Sequence, residues 1–167
     1  NAGGYATATA GLLLSLSGPR TLHLDIVDYP GEWLLDLALI GKTYADWSEA
    51  TLDRIAKRPE AADFMAQARA EDGALKLDEP RAQGLAAAFT AYLQKARAAG
   101  WSDCTPGRFL LPGDLAGSPV LTFAPSPKPA ETPRNSLWRE MDRRFEAYKA
   151  RVVQPFFRDH FARIDRQ

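Results

Sequence analysis

The stretch TLHLDIVDYPGEWLLDL, residues 21–37, joins two hydrophobic patterns with only a short turn between them. Apolar residues recur at every second position from Leu22 to Ile26, which is typical of a strand. After Asp28 a Pro-Gly pair provides turn chemistry, and a dense apolar run begins at once with Trp33. The stretch therefore predicts a strand, a tight turn and a helix.

The segment before this strand has the pattern of a second strand. Residues 5–16, YATATAGLLLSL, alternate tyrosine and threonines with alanines and then become aliphatic. β-Branched and aromatic residues at a period of two favour a strand, and SGPR at 17–20 is typical of a turn. The first 28 residues therefore predict a β-hairpin.

The acidic residue that ends the hairpin has two interpretations. In P-loop NTPases an aspartate at the end of such a strand holds Mg, usually through water, and a glycine three residues later donates its N–H to the γ-phosphate. Asp28 and Gly31 have this spacing, at the carboxyl end of a strand where ligands of α/β sheets bind. Many strands also end in Asp and a turn glycine, so spacing alone leaves both interpretations open.

Glu32 follows directly and is the candidate catalytic residue, because a GTPase often keeps its water-orienting residue at this place. The alternative is an acid stabilised by the positive end of a helix dipole. Trp33 is expected to pack in the core or beside the nucleotide segment.

The phosphate-binding loop GxxxxGK[ST] does not occur in the sequence. Gly41-Lys42-Thr43 resembles its last part, but it lacks the earlier glycine and follows the aspartate strand, so we interpret it as an ordinary loop. No base-reading NKxD motif occurs either, and the choice between GTP and ATP stays open.

Helical spacing dominates the rest of the chain. A helical subdomain is expected over 42–100, after the strands and the turn of residues 1–41. The apolar patterns predict helices over 43–58, 60–71 and 79–99. Pro59 separates the first two of these helices, and Gly100 ends the third.

The last third contains a connection and a final helical segment. Residues 101–135 are rich in proline but also in large apolar residues, which predicts a packed, irregular connection with 125–133 exposed. Residues 136–167 are expected to form helices, with Ser136 as N-cap, arginines outside the apolar stripe, and a break or kink at Pro155.

Composition excludes several classes of protein. Lys plus Arg equals Asp plus Glu at 21 each, so no nucleic-acid partner is expected. The single Cys104 forms no internal disulfide or zinc motif, and His23 and His160 accompany no nucleophile motif. No apolar run reaches the roughly 20 residues that a transmembrane helix needs. We expect a cytoplasmic protein, with a peripheral location at the inner membrane left open.

Three blocks of the sequence resemble one known family. LDIVDYPGEWLLDLALI (24–40), GRFLLPGDLAGSPVLTF (107–123) and YKARVVQPFFRDHFARIDRQ (148–167) are similar, in this order, to the YcjX family, DUF463. These are bacterial proteins predicted to be P-loop nucleotide-binding proteins, related to dynamin-like and other GTPases and linked to stress responses. The resemblance implies that Asp28 and Gly31 match the Walker B and switch II motif, with Asp28 holding Mg through water.

The resemblance also implies a fold and an activity. It implies an α/β, P-loop NTPase-like partial domain, with an N-terminal β-hairpin followed by a predominantly α-helical insertion. Residues 1–41 would supply the hairpin and switch II part of the nucleotide domain, and the helices of residues 136–167 would return to that domain. The intact protein is expected to hydrolyse GTP or ATP with Mg. Thr7 or Thr9 is expected to touch Mg as a remnant of switch I.

The chain departs from the complete family pattern, because neither the Walker A loop nor the strand expected after ARIDRQ is found in it. It is therefore expected to be an internal segment. On its own, this segment is expected to need no cofactor, to bind GTP only weakly and not to hydrolyse it. The alternative is a non-catalytic helical interaction module whose partner is a stress-related membrane protein.

Overall fold

The computed structural model describes the backbone of residues 8–15, 21–28 and 30–159, and the side chains of residues 30–158. Strand β1 (Ala8–Ser15) pairs antiparallel with β2 (Thr21–Asp28), and Ala8 lies opposite Asp28. The side chains of Thr9, His23 and Asp28 lie outside the description, as do Thr7 and His160 altogether. β2 ends at Asp28, and the first helix begins three residues later, at Gly31.

The predicted α/β, P-loop NTPase-like fold class is wrong for the described residues. Such a fold needs a parallel sheet whose strands are joined by helical crossovers. The described sheet has two antiparallel strands, and the remaining regular elements of the described ranges are helices. The described chain is a helical body that follows one strand pair.

The predicted helices are confirmed, with boundaries that differ by a few residues. Side-chain caps fix the N-termini of three of them, because Thr43, Asp78 and Ser136 each accept a hydrogen bond from a backbone N–H three residues later. Gly100 follows the longest helix with a positive φ of 90°. The helices are α1 (Gly31–Leu35), α2 (Tyr44–Ile55), α3 (Ala62–Ala70), α4 (Glu79–Ala98), α5 (Leu137–Tyr148) and α6 (Gln154–Asp159).

An aromatic cluster forms the centre of the body. Trp47 of α2 stacks on Phe145 of α5 with ring centroids 5.0 Å apart, and Phe123 contacts both rings edge-on. Each fully buried large apolar side chain contributes about 1.5–3 kcal/mol, so this cluster is a major source of stability. Its fully buried members include Tyr44, Trp47, Phe64, Phe89, Phe123, Phe145 and Tyr148.

The proline-rich connection is packed, as predicted, because Phe109 and Phe123 insert into this core. The prediction that residues 125–133 are exposed is wrong at its start. Ser126 is buried, since its carbonyl accepts a hydrogen bond from the Ser48 hydroxyl at 2.8 Å and its N–H donates to the same oxygen at 2.7 Å. Exposure begins at position 127.

The C-terminal helix changes pitch before Pro155. A π-helical turn over Lys149–Val153 separates α5 from α6, which fits a proline that has no N–H to give to the preceding turn. One arginine departs from the predicted outer face: Arg144 is buried, where it pairs with Glu140 at 2.7 Å and Glu79 at 2.5 Å. None of the described helices is both long and apolar enough to cross a membrane.

Candidate functional site

The candidate site lies where β2 passes into α1. Asp28 is the last residue of β2, and Gly31 is the first residue of α1. Pro30 precedes the helix, and its carbonyl accepts the Trp33 N–H at 2.9 Å. Among the described residues, no atom lies within 4 Å of a Cβ added at Gly31. The strand end and the helix start are thus adjacent, as the motif requires.

Glu32 is engaged with the helical body. Its carboxylate forms an ion pair with Arg97 near the end of α4, and 14% of its side chain is exposed. Its backbone carbonyl lies against Gly107, where an added Cβ would come within 1.9 Å of the oxygen. The structure therefore gives Glu32 a contact that fixes α1, and its catalytic role stays a prediction.

Trp33 anchors the same turn on its other side. Its indole Nε1–H donates to the Leu111 carbonyl at 3.2 Å, and the Arg108 guanidinium lies 3.4 Å from the ring centroid. Phe156 of α6 meets the indole edge-on at 6.2 Å. Trp33, which was expected in the core or beside the nucleotide segment, is half-buried between the 107–111 loop and α6.

Asp36 is the most buried carboxylate of this region, with 3% of the residue exposed. Its Oδ1 accepts the Gly107 N–H at 2.7 Å, and its Oδ2 accepts the Arg108 N–H at 3.4 Å and the Tyr148 hydroxyl. Glu32 and Asp36 are four positions apart and so lie on one face of the helical segment, the face that meets Gly107. Asp36 thereby joins α1 to a loop and to α5.

Burial sets the electrostatics of this cluster. It raises the pKa of Asp36 to about 6, although the hydrogen bonds from Tyr148, Gly107 and Arg108 and the charge of Arg108 act in the opposite direction. Burial, followed by the Asp36 charge, raises the pKa of Tyr148 well above its ordinary value. Tyr148 consequently keeps its proton and remains the donor.

Arg108 adds a positive charge to the same cluster. Burial lowers the pKa of its guanidinium. Its Nη1 is buried without a hydrogen-bond partner among the described residues, and Asp114 Oδ1 lies 3.7 Å from it, too far for a hydrogen bond. The face of Trp33 is its closest stabilising contact.

The Gly41-Lys42-Thr43 sequence belongs to the structural frame. The Lys42 carbonyl accepts a hydrogen bond from Lys149 Nζ at 2.6 Å, and Thr43 caps α2. These contacts fit the interpretation of these residues as an ordinary loop. In the part of the chain whose side chains are described, no three His, Cys, Asp or Glu residues gather as a metal site would require.

Sequence reasoning missed the cluster of Asp36, Gly107, Arg108 and Tyr148. A signal was present, because Asp36 interrupts the apolar run WLLDLALI, and a lone carboxylate in such a run needs buried donors. The identity of those donors depends on the tertiary fold and is not encoded in local spacing.

The chain is similar to known proteins over almost its whole length. The chain is 38% identical over 166 residues to the Ras-like GTPase YcjX of Escherichia coli K12, covering 93% of this chain and 36% of that protein. It is 36% identical over 169 residues to the Ras-like GTPase YcjX of Shewanella oneidensis MR-1, covering 94% of this chain and 35% of that protein. The chain thus spans about a third of the length of these relatives. The family model for the YcjX-like family, DUF463, matches residues 6–167, and the chain belongs to that family.

Proposed function

We propose that this chain carries the metal and γ-phosphate half of a GTPase site, joined to a helical body. The observation that carries the proposal is the passage from Asp28 at the end of β2 to Gly31 at the start of α1. Two relatives that match almost the whole chain are named Ras-like GTPases, which favours GTP over ATP. The proposal concerns the full-length protein.

The residues fit the parts of such a site that they would supply. Asp28 would hold Mg through water, and the Gly31 N–H would donate to the γ-phosphate. Mg would supply charge stabilisation for the transferred phosphoryl group.

Within this proposal Glu32 is the candidate water-orienting residue. Its ion pair with Arg97 holds the carboxylate against α4 in the described conformation. A water-orienting role therefore requires that this pair opens, which the exposed Arg97 side chain favours because solvent screens its charge. Arg97→Ala tests the requirement, since releasing Glu32 would raise turnover if the residue orients water and leave turnover unchanged if it does not.

The decisive experiment is GTP turnover by the full-length protein. Asp28→Ala should abolish turnover while the circular dichroism spectrum is retained, and Asp53→Asn, an exposed acid on α2, should leave turnover unchanged. Turnover by Asp28→Ala equal to that of the wild type would remove Asp28 from the mechanism. A full-length protein that neither binds nor hydrolyses GTP or ATP would instead favour the helical interaction module.

A further inference from the structure

We propose that Asp36 is a positioning residue that couples Gly31 to the helical body, so that a displacement of Gly31 on γ-phosphate binding moves the loop at Gly107 and α5. The inference rests on the proposed function and concerns how that site is connected to the rest of the protein. It assigns a role to a buried carboxylate that the proposed chemistry does not use.

The hydrogen bonds of Asp36 reach two distant parts of the chain. Gly107 and Tyr148 lie 71 and 112 positions away, and both bonds are buried. Water cannot replace a bond that breaks in such a place, and each buried group left without a partner costs about 1–3 kcal/mol. A displacement of Asp36 is therefore expected to carry its donors along.

A close backbone contact between Glu32 and Gly107 also resists movement of α1 relative to the loop at Gly107. The Glu32 carbonyl lies so close to Gly107 that there is no room for a side chain at that position. Gly31 is the residue directly before Glu32, so the proposed phosphate contact and the close backbone contact are adjacent in α1. Packed interfaces of this kind change between discrete arrangements more readily than they deform continuously.

The other contacts of α1 are less suited to this role. The Glu32–Arg97 pair involves an arginine whose side chain is 56% exposed, so solvent screens it. The Trp33–Arg108 contact has broad geometric tolerance, because a stacked cation can shift over a ring. The Asp36 carboxylate alone combines burial with directional bonds to both the loop and α5.

Hydrogen exchange tests the proposal, because the Gly107 amide is itself a donor to Asp36. Exchange over residues 101–111 is measured in the full-length protein with GDP and with a non-hydrolysable GTP analogue, after binding of both has been measured separately. The wild type should show a difference of about fivefold or more between the two nucleotides, the lower end of typical coupling between sites.

Two variants separate coupling from stability. Asp36→Ala removes both carboxylate oxygens and with them the three hydrogen bonds that they accept, and Tyr148→Phe removes one donor while it keeps the carboxylate and the ring. Both should still bind each nucleotide but lose most of the nucleotide-dependent difference. Asp53→Asn serves as the control and should keep it. A change in stability alone would speed exchange equally with both nucleotides.

The possible outcomes distinguish the two proposals. A wild type that binds neither nucleotide overturns the proposed function and this inference with it. A wild type that binds both but exchanges equally at 101–111 overturns the coupling and leaves the proposed function standing. A full wild-type difference in Tyr148→Phe, or in a folded Asp36→Ala protein, overturns the role of Asp36.

Discussion

The Tyr148 hydroxyl donates a hydrogen bond to the Asp36 carboxylate across 112 positions of the chain, and both residues are buried. The bond ties the helix after the strand pair to α5, near the other end of the described chain. Four other contacts of the segment 31–42 involve α4, the 107–111 loop, the π-helical turn and α6. The candidate site is thus built into the helical body.

Tyr148→Phe should lower the free energy of unfolding by about 1–2 kcal/mol, because Asp36 loses one buried donor while the aromatic packing is kept. Urea denaturation followed by circular dichroism measures the change. Tyr92→Phe is the matched control, since its hydroxyl accepts from Arg58, which keeps both bonds to Asp103. An equal or larger loss in Tyr92→Phe would contradict the special role of the Tyr148 hydroxyl.

Asp36 should make stability depend on pH. Its pKa is about 6 in the folded protein against an ordinary value of 3.8, so the folded state retains a proton that the unfolded state releases. The contribution of Asp36 to the free energy of unfolding is therefore fully present below about pH 4. It decreases by on the order of 3 kcal/mol as the pH rises through 6.

Asp36→Asn removes this titration and isolates it from other acids. As the pH rises from 4 to 6.5, the wild type should lose unfolding free energy relative to Asp36→Asn, as measured by urea denaturation. Parallel curves for the two proteins would show that Asp36 titrates normally in the folded state.

Gly107→Ala should destabilise the protein by about 3 kcal/mol or more, because the new Cβ would lie 1.9 Å from the Glu32 carbonyl oxygen and 2.4 Å from its carbon. Both atoms belong to backbone, so neither can turn away. Thermal unfolding measures the loss.

Gly84→Ala provides the opposite case. Gly84 lies inside α4, and its added Cβ would make only an ordinary contact at 3.6 Å with Gln67 Nε2. Alanine should stabilise the helix there by about 0.5–1 kcal/mol. If both glycine substitutions had the same effect, the close contact between Gly107 and Glu32 would not exist as described.

Arg58→Lys should cost about 1–2 kcal/mol even though it keeps the charge. Arg58 forms two bonds to Asp103 at 2.9 and 2.8 Å and stacks 3.9 Å from the centroid of the Trp101 ring. Lysine has no planar fork for either contact. Arg54→Lys, whose partner is also Asp103 but whose side chain is 37% exposed, should lose about 0.5 kcal/mol or less in the same denaturation assay.

The helices were predictable because local patterns specify them. Thr43, Asp78 and Ser136 are caps that sequence alone can recognise, and the apolar residues of α4 and α5 recur at helical spacing. Pro125 and Ser126 show the limit of such patterns, since a polar, proline-rich stretch becomes buried when Ser48 supplies hydrogen bonds.

The fold class and the site were less predictable, for a different reason. The family resemblance describes a whole nucleotide domain, whereas the described residues contain one antiparallel strand pair and a helical body. Asp28 and Gly31 follow from the motif, but the partners of Asp36 lie 71 to 112 positions away. Contacts at that separation are set by tertiary packing.

The central claim is that Asp28 belongs to the metal and γ-phosphate half of a GTPase site. The most direct measurement is the affinity of the full-length protein for GTP and GDP, with and without Mg, by calorimetry in wild type and Asp28→Ala. We predict that Mg strengthens GTP binding by about tenfold or more in the wild type, that Asp28→Ala loses this gain, and that GDP affinity without Mg is retained. An equal Mg effect in both proteins would contradict the claim.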